Sequence, residues 1–354
     1  MDKDIYLDFE NTNVLVTGGA GFVGSNLVKM LLSQVTCIEI TIVDNLLSSE
    51  ICNVPVDRRV NFIENSITDF RVLSQITDRY DYIFHLATFH GNQSSIFDPV
   101  KDHENNVMTT LMLFERIKYF KRLKKVVYSS AGCSVAKKTF GTATATTEDG
   151  LIDINQDSPY SISKIIGEFY SGYYFKQHDL PVVRARFQNV YGPGEILGAG
   201  QWRGTYASVW RNVIPTFIYK ALHNIKLPLE NEGVASRDFI FVEDICRGLL
   251  YCAVRGDAGD VYNIASGVET MIADLANLIN EYSENNAGVE ILPKRNWDNS
   301  GKRFASINKA EEKLGFKANI LLSDGIKKTI EWTRLNMMVI ERNILKHEEH
   351  MKRL

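Results

Sequence analysis

Tyr160 and Lys164 stand four residues apart in Ser158-Pro159-Tyr160-Ser161-Ile162-Ser163-Lys164. On a helix that spacing puts phenol and ammonium on one face. A cation beside a phenol favours the phenolate, which makes Tyr160 a usable base near neutral pH. Ser158 can cap such a helix, and Pro159 suits its first turn. By itself the pair is commonplace, since Tyr and Lys fall at this spacing often by chance. A second pattern, near the start of the chain, gives it weight.

That pattern is Thr17-Gly18-Gly19-Ala20-Gly21-Phe22-Val23-Gly24-Ser25. The apolar run Val14-Leu15-Val16 precedes it, and a helical periodicity follows from Val23 to Leu32, with Val23, Leu27, Met30 and Leu31 apolar. Strand, glycine turn and helix is the setting in which such a motif binds a dinucleotide. Gly18 allows a tight turn, Gly21 close approach to a pyrophosphate, and Gly24 close packing of helix on strand. The phosphates would lie on the helix N-terminus. The spacing is G-x-x-G-x-x-G rather than G-x-G-x-x-G, and the alternative is a turn that serves only the fold. Thr41-Ile42-Val43-Asp44 ends in a carboxylate placed to accept hydrogen bonds from the adenosine ribose. No Arg or Lys follows until Arg58, so a 2′-phosphate would be repelled, and NAD is expected over NADP.

The elements that must position these groups follow from the rest of the chain. At 354 residues it is long for one core, so a large α/β domain with a smaller lobe is expected. The runs at Val60–Ile63, Tyr82–Leu86, Val126–Ser129 and Val182–Arg186 read as buried strands. Helical stretches near 70–79, 105–120 and 160–178 separate them. Such alternation predicts an α/β fold, a Rossmann-type doubly wound parallel sheet with a smaller C-terminal substrate-binding lobe. The NAD-binding domain is expected over 1–190, the lobe mainly over 191–335 with some segments returning to the main sheet, and a solvated or oligomer-facing helix over 336–354. A net charge of −3 gives no reason to expect nucleic acid or an anionic membrane as partner. No apolar run approaches membrane-spanning length, and no signal-peptide pattern opens the chain. The five cysteines are scattered without metal-type spacing. A cytoplasmic protein with no metal is expected.

Together these motifs resemble the extended short-chain dehydrogenases/reductases, in particular their nucleotide-sugar epimerases and dehydratases. The likeness covers nearly the whole chain. It rests on the glycine run, Asp44, His85-Leu86-Ala87, Asn105-Asn106-Val107, Tyr160 with Lys164, Asn189-Val190-Tyr191-Gly192-Pro193 and Arg237-Asp238-Phe239-Ile240-Phe241-Val242-Glu243-Asp244. The resemblance implies that Tyr160 removes a proton from a sugar hydroxyl while NAD takes the hydride from that carbon. Lys164 would bind the nicotinamide ribose and hold the tyrosine pKa down. Gly18, Gly21, Phe22, Val23, Asp44, Asn45, Ser66, Ile67, Leu86, Ala87 and Asn106 would complete the cofactor site. Asn106 could instead be a helix-start residue. Asn189, Arg203, Arg237 and Arg303 would hold a UDP-, GDP- or TDP-linked sugar, an arginine fork suiting a diphosphate better than lysine does. Arg237 could also be a surface ion pair. His90, a loop histidine without a partner motif, is left outside the catalytic set. Homodimerisation through the helices near 105–120 and 160–178 is likewise implied.

The chain departs from the family pattern at one strand end. Relatives place a catalytic Ser or Thr three residues after the aromatic residue of that strand, and here the position is Ala131. Ser130, or Ser134, could reach in from a shifted backbone, and Ser130 is preferred. Dehydratases and decarboxylases usually follow with a carboxylate, whereas this chain has Gly132 and Cys133. The same region resembles GDP-mannose 3,5-epimerases, in which a cysteine at this place exchanges carbon-bound protons against a lysine in W-K-G-G. Gln201-Trp202-Arg203-Gly204 resembles that segment, but Arg203 cannot surrender its proton at working pH. Cys133 is thus either a proton-transfer thiol or a small buried residue. The reading adopted is an NAD-dependent isomerase, a nucleotide-sugar epimerase acting at C4. The alternatives are a C3/C5 epimerase using Cys133, a 4,6-dehydratase or decarboxylase, and a non-catalytic NAD-binding protein.

Overall fold

The computed structural model describes residues 3–132, 135, 139–295 and 301–353. Its strands are β1 Thr12–Thr17, β2 Ile38–Asp44, β3 Val60–Glu64, β4 Tyr82–His85, β5 Lys125–Ala131, β6 Val182–Phe187, β7 Asn189–Tyr191, β8 Leu227–Glu230, β9 Ser236–Phe241, β10 Val261–Ile264, β11 Glu269–Met271 and β12 Val289–Leu292. Seven of them form one sheet in the order β10-β6-β5-β4-β1-β2-β3, and every pairing in it is parallel. The order reverses between β1 and β4. Ligands of such sheets sit at the carboxyl ends of the strands beside that reversal.

Side chains alternate across a strand, and here the alternation separates two cores. Val14, Val16, Phe84, Val127 and Ala185 belong to one apolar cluster, packed with Leu27, Val28 and Leu31 of the helix Phe22–Gln34 and with Ile245 and Leu249 of the helix Val242–Arg255. Leu15, Ile83, Val126, Tyr128 and Val182 belong to the other, with Leu113, Phe114 and Tyr174 from the helices Thr109–Ile117 and Pro159–His178. Helices therefore cover both faces, as the alternating sequence predicted.

The helix carrying the tyrosine–lysine pair spans Pro159–His178. Ser158 Oγ accepts from Ser161 N at 3.3 Å and Pro159 fills the first turn, while Asp179 in left-handed geometry ends the helix. Such a cap contributes about 1 kcal/mol. Gly167 lets this helix lie against β5, because a Cβ there would fall 1.9 Å from Tyr128 Oη. The stretch near 105–120 is less regular than its pattern suggested: a π-type turn over Glu104–Met108 precedes Thr109–Ile117.

Beyond residue 190 the chain builds the lobe from β7-β9-β11 and β8-β12, yet β10 returns to the edge of the main sheet. The last segment, helices Met337–Leu345 and Glu348–Met351, is not simply a solvated helix. Ile340 and Ile344 are buried against Ile196, Leu197, Ala199 and Val209 of the lobe loop.

Candidate active site

One cavity of about 980 Å³ opens at the sheet's reversal point and runs into the lobe. Its first wall is the glycine turn. Gly18 has φ +74°, and a Cβ on it would lie 2.6 Å from Ala87 N; one on Gly24 would lie 2.3 Å from Gly18 O. Any side chain at either position would force β1, the helix and the end of β4 apart. The helix Phe22–Gln34 starts at Gly21 with no side chain capping it, leaving its N-terminus to an anion. Asp44 closes β2 at the cavity edge. Its Oδ2 accepts from Ala20 N at 3.0 Å and its Oδ1 from Leu46 N and Ser49 Oγ at 2.9 Å. Burial raises its carboxyl pKa above the ordinary value, and those donors oppose the shift. Phe22, Val23, Asn45, Ser66, Ile67, Leu86 and Ala87 line the same end. These residues fit a dinucleotide, whose diphosphate needs a cradle no Cβ could share and whose ribose needs a fixed acceptor.

Tyr160 and Lys164 line the middle of the cavity. Lys164 is buried, its Nζ donates to Ser129 O at 2.9 Å, and it lies 5.7 Å from the Tyr160 ring centre. Tyr160 N–H, in the first turn of its helix, donates to Ser95 Oγ at 3.1 Å, which fixes the helix start against Asn92–Phe97. His90 faces the Tyr160 ring edge-on, with centroids 6.0 Å apart. Burial, with the Arg211, Arg203 and Lys164 charges, pushes the His90 imidazole down to about 3, so it stays neutral at working pH. His85, under the glycine turn between Thr17 Oγ1 and Thr110 Oγ1, is held neutral by burial in the same way.

Asn189, Arg237 and Arg303 line the lobe end. Arg237 Nη1 donates to Ser236 O and Gly301 O, and Arg303 N donates to Ser236 Oγ, so both arginines gather at Ser236.

Three expected site residues sit otherwise. Asn106 is buried off the cavity wall: its Oδ1 accepts from Thr88 Oγ1 and Phe89 N, and its Nδ2 donates to Asp102. It therefore shapes the loop after β4, and its neighbour Asn105 is the residue on the wall. Ser130 lines the cavity beside Ala131, but its hydroxyl donates to Glu168 Oε1 at 2.5 Å. Arg203 is buried and off the wall, donating from Nη1 to Ser48 Oγ at 3.1 Å, while Arg211 lines the cavity in its place. Cys133 and Ser134 lie outside the described residues. Ala131 lines the cavity, and the hydroxyls of both serines before it are engaged elsewhere, Ser129 on His85 O. Among the described residues no His, Cys, Asp and Glu group could hold a metal ion, and no helix is long and apolar enough to cross a membrane.

Sequence reading missed Arg211 and Glu195. Trp210-Arg211 repeats the Trp202-Arg203 pair eight residues on, which was the available signal. Glu195 accepts from Asn212, and burial pushes its carboxyl up to about 7 despite the Arg211 charge. An unfolded Glu titrates near ~4.3, so the folded state binds the extra proton between those two values and loses stability as pH rises through that window. Glu195→Gln is expected to raise the Tm at pH 8 and leave it unchanged near pH 4. A scan at both pH values checks this, and equal effects at the two would refute it.

The profile described as the NAD dependent epimerase/dehydratase family matches residues 14–265. The Bordetella bronchiseptica enzyme WbmF, solved with NAD+ and UDP, superimposes with a TM-score of 0.87 at 61% identity, over 97% of this chain and 98% of that one. The UDP-glucose 4-epimerase of Mycolicibacterium smegmatis is 30% identical over 90% of this chain and 98% of its own length. The dTDP-glucose 4,6-dehydratase of Streptomyces antibioticus is 27% identical, covering 92% and 93%. With the glycine cradle, Asp44 and the Tyr160–Lys164 pair in place, the chain belongs to the NAD-dependent epimerase/dehydratase family of nucleotide-sugar enzymes.

Proposed function

We propose that this enzyme inverts C4 of a uridine-diphosphate sugar through a transient 4-keto intermediate. The observation that carries the reading is the Tyr160–Lys164 pair on the wall between the glycine cradle and the two lobe arginines. Tyr160 Oη takes the proton of the C4 hydroxyl and later returns one to the same oxygen. Lys164, its ammonium fixed on Ser129 O, supplies the positive field that favours the phenolate. Bound NAD, held by Gly18, Gly21, Phe22, Val23, Asp44 and their neighbours, supplies the acceptor and donor for the C4 hydride. Asn189, Arg237 and Arg303 hold the diphosphate, so the sugar can turn while its anchor stays fixed. The uridine is supported by the UDP in the Bordetella relative.

Elimination is disfavoured because Gly132 and Cys133 follow Ala131 where the resembling dehydratases carry a carboxylate. The missing hydroxyl at Ala131 is the one feature that favours a non-catalytic role, and the intact Tyr160 and Lys164 oppose it. We also propose that two copies pair through the helix Pro159–His178, whose Ile162, Phe169 and Tyr173 are exposed along one face.

The test is incubation with UDP-glucose and UDP-N-acetylglucosamine in deuterated water, followed by NMR. Inversion at C4 without carbon-bound deuterium is expected. Deuterium at C3 or C5 would transfer the chemistry to Cys133, a 4-keto-6-deoxy product would make it a dehydratase, and no turnover of any sugar nucleotide would sink the enzyme reading.

A further inference from the structure

A second pair of arginines, far in sequence from Arg237 and Arg303, stands at the side of the cavity, with Arg211 on its wall and Arg203 buried off it. Arg203 and Arg211 converge on Ser48, Arg203 Nη1 donating to its Oγ at 3.1 Å and Arg211 Nη1 to its carbonyl at 3.1 Å. Arg211 also holds the lobe loop through Ala199 O at 2.6 Å. Three of their donors, Arg203 Nε, Arg203 Nη2 and Arg211 Nε, are buried without a hydrogen-bond partner. Buried polar groups are normally satisfied, and buried guanidinium charges normally face an anion. Among the described residues no carboxylate lies within ion-pair reach of Arg203. The nearest influences on Arg211 are Glu195 and Glu50, and these are taken up by Asn212 and by Gly200 N and Lys346 respectively.

The surroundings are those of a ligand site. Ser48, His90 and Arg211 all line the cavity; His90 lies against Tyr160 and feels the charges of both Arg211 and Arg203. The two diphosphates that this reading requires already have places, one at the helix start after Gly21 and one at Arg237 with Arg303. We propose that Arg203 and Arg211 form a further oxyanion subsite, filled by an acidic group of a molecule in the cavity. Two sources share that chemistry: a carboxylate on the sugar ring, which would make the substrate an acidic sugar nucleotide, and one phosphate of the dinucleotide reaching past Ser48 while the other rests on the helix start after Gly21. A planar guanidinium fork binds either one bidentately.

The proposal rests on the nucleotide-sugar reading, and its test is by binding rather than turnover. In Tyr160→Phe protein, affinities for UDP-glucuronate, UDP-glucose and NAD are measured by calorimetry, then again with Arg203→Gln and with Arg203→Lys. Charge-assisted hydrogen bonds of this kind correspond to about tenfold or more in affinity. A tenfold preference for UDP-glucuronate that disappears in Arg203→Gln assigns the subsite to the sugar. A tenfold loss of NAD affinity with sugar affinities unmoved assigns it to the cofactor. Should Arg203→Gln fail to fold, as its circular dichroism would reveal, Arg203→Lys keeps the charge, loses the fork and is read the same way. All three affinities within about twofold of the parent, in whichever variants fold, overturn the subsite. Binding of NAD with no sugar nucleotide bound by any form would instead overturn the reading on which it rests.

Discussion

Replacing Tyr160 by Phe is expected to lower turnover about a thousandfold, within the 10²–10⁴ range typical of a positioned acid–base group and equal to about 4 kcal/mol in the barrier. The substitution removes only Oη. The ring that packs edge-on against His90 remains, as does the backbone N–H donated to Ser95, so the helix start and the cavity wall should keep their shape. NAD content and affinity for UDP should then be unchanged, which makes the loss one of kcat rather than of KM. Lys164→Met should cost at least as much, because Lys164 Nζ also holds Ser129 O from a buried position. Steady-state rates with cofactor content measured in parallel check both. Full turnover by Tyr160→Phe would remove the tyrosine from the mechanism, and loss of bound NAD would make the effect structural.

The parts of this site that could be read from sequence are those set by backbone geometry. A glycine with φ +74° against Ala87, a carboxylate at a strand end and a Tyr–Lys pair one helical turn apart depend on spacing alone. What spacing cannot supply is side-chain direction. Asn106 and Asn105 are neighbours on one turn, and only the packing of Thr88 and Phe89 decides that Asn106 faces inward. Arg203 and Arg211 both follow a tryptophan in the same loop, and which one reaches the cavity depends on the fold of 196–212 against Ser48. The last segment reads as charged and helical. Ile340 and Ile344 nevertheless cover Leu197 and Val209, partners too distant in sequence for any local pattern to disclose.

The direction of the Ser130 hydroxyl follows from strand alternation. Side chains alternate along β5, so Ser130 shares the face of Tyr128 and Val126, which is the face covered by the helix Pro159–His178. There it meets Glu168 of that helix. Alternation therefore turns its hydroxyl toward that helix, although Ser130 still borders the cavity beside Ala131. A Ser130→Ala variant distinguishes the two roles, since loss of one buried hydrogen bond costs about 1 kcal/mol of stability and leaves kcat alone. A tenfold fall in kcat with stability intact would restore Ser130 as the missing hydroxyl.

The larger stability effect belongs to the pair that Ser130 serves. Arg186 on β6 and Glu168 are both almost wholly buried and meet bidentately, Nε to Oε1 and Nη2 to Oε2 at 2.8 Å, while Arg186 Nη1 reaches Glu148 O at 2.9 Å. Glu168→Ala leaves a guanidinium in the interior between sheet and helix with half its partners gone. Removing one member of such a pair costs about 3–5 kcal/mol, and for a chain of this size that is a fall in Tm of roughly 4–7 °C. Burial alone would raise the Glu168 pKa, but the hydrogen bonds and charge of Arg186 outweigh it and the net shift is downward. The pair therefore stabilises the fold fully above the unfolded value near ~4.3 and loses that contribution as pH falls through the folded one. Wild type and Glu168→Ala should accordingly converge in acid. Glu168→Leu with Arg186→Met should regain much of the loss, because two apolar chains leave no buried charge unpaired. If that double variant were no more stable than Glu168→Ala alone, the cost would lie in lost packing between helix and sheet rather than in a stranded charge. Calorimetric melts of the three proteins at pH 7 and at a series of pH values descending below 4 decide between these, with turnover as the control. The pair lies behind Ala131 and Ser130 rather than in the cavity, so activity per folded molecule is expected to stay within about twofold throughout.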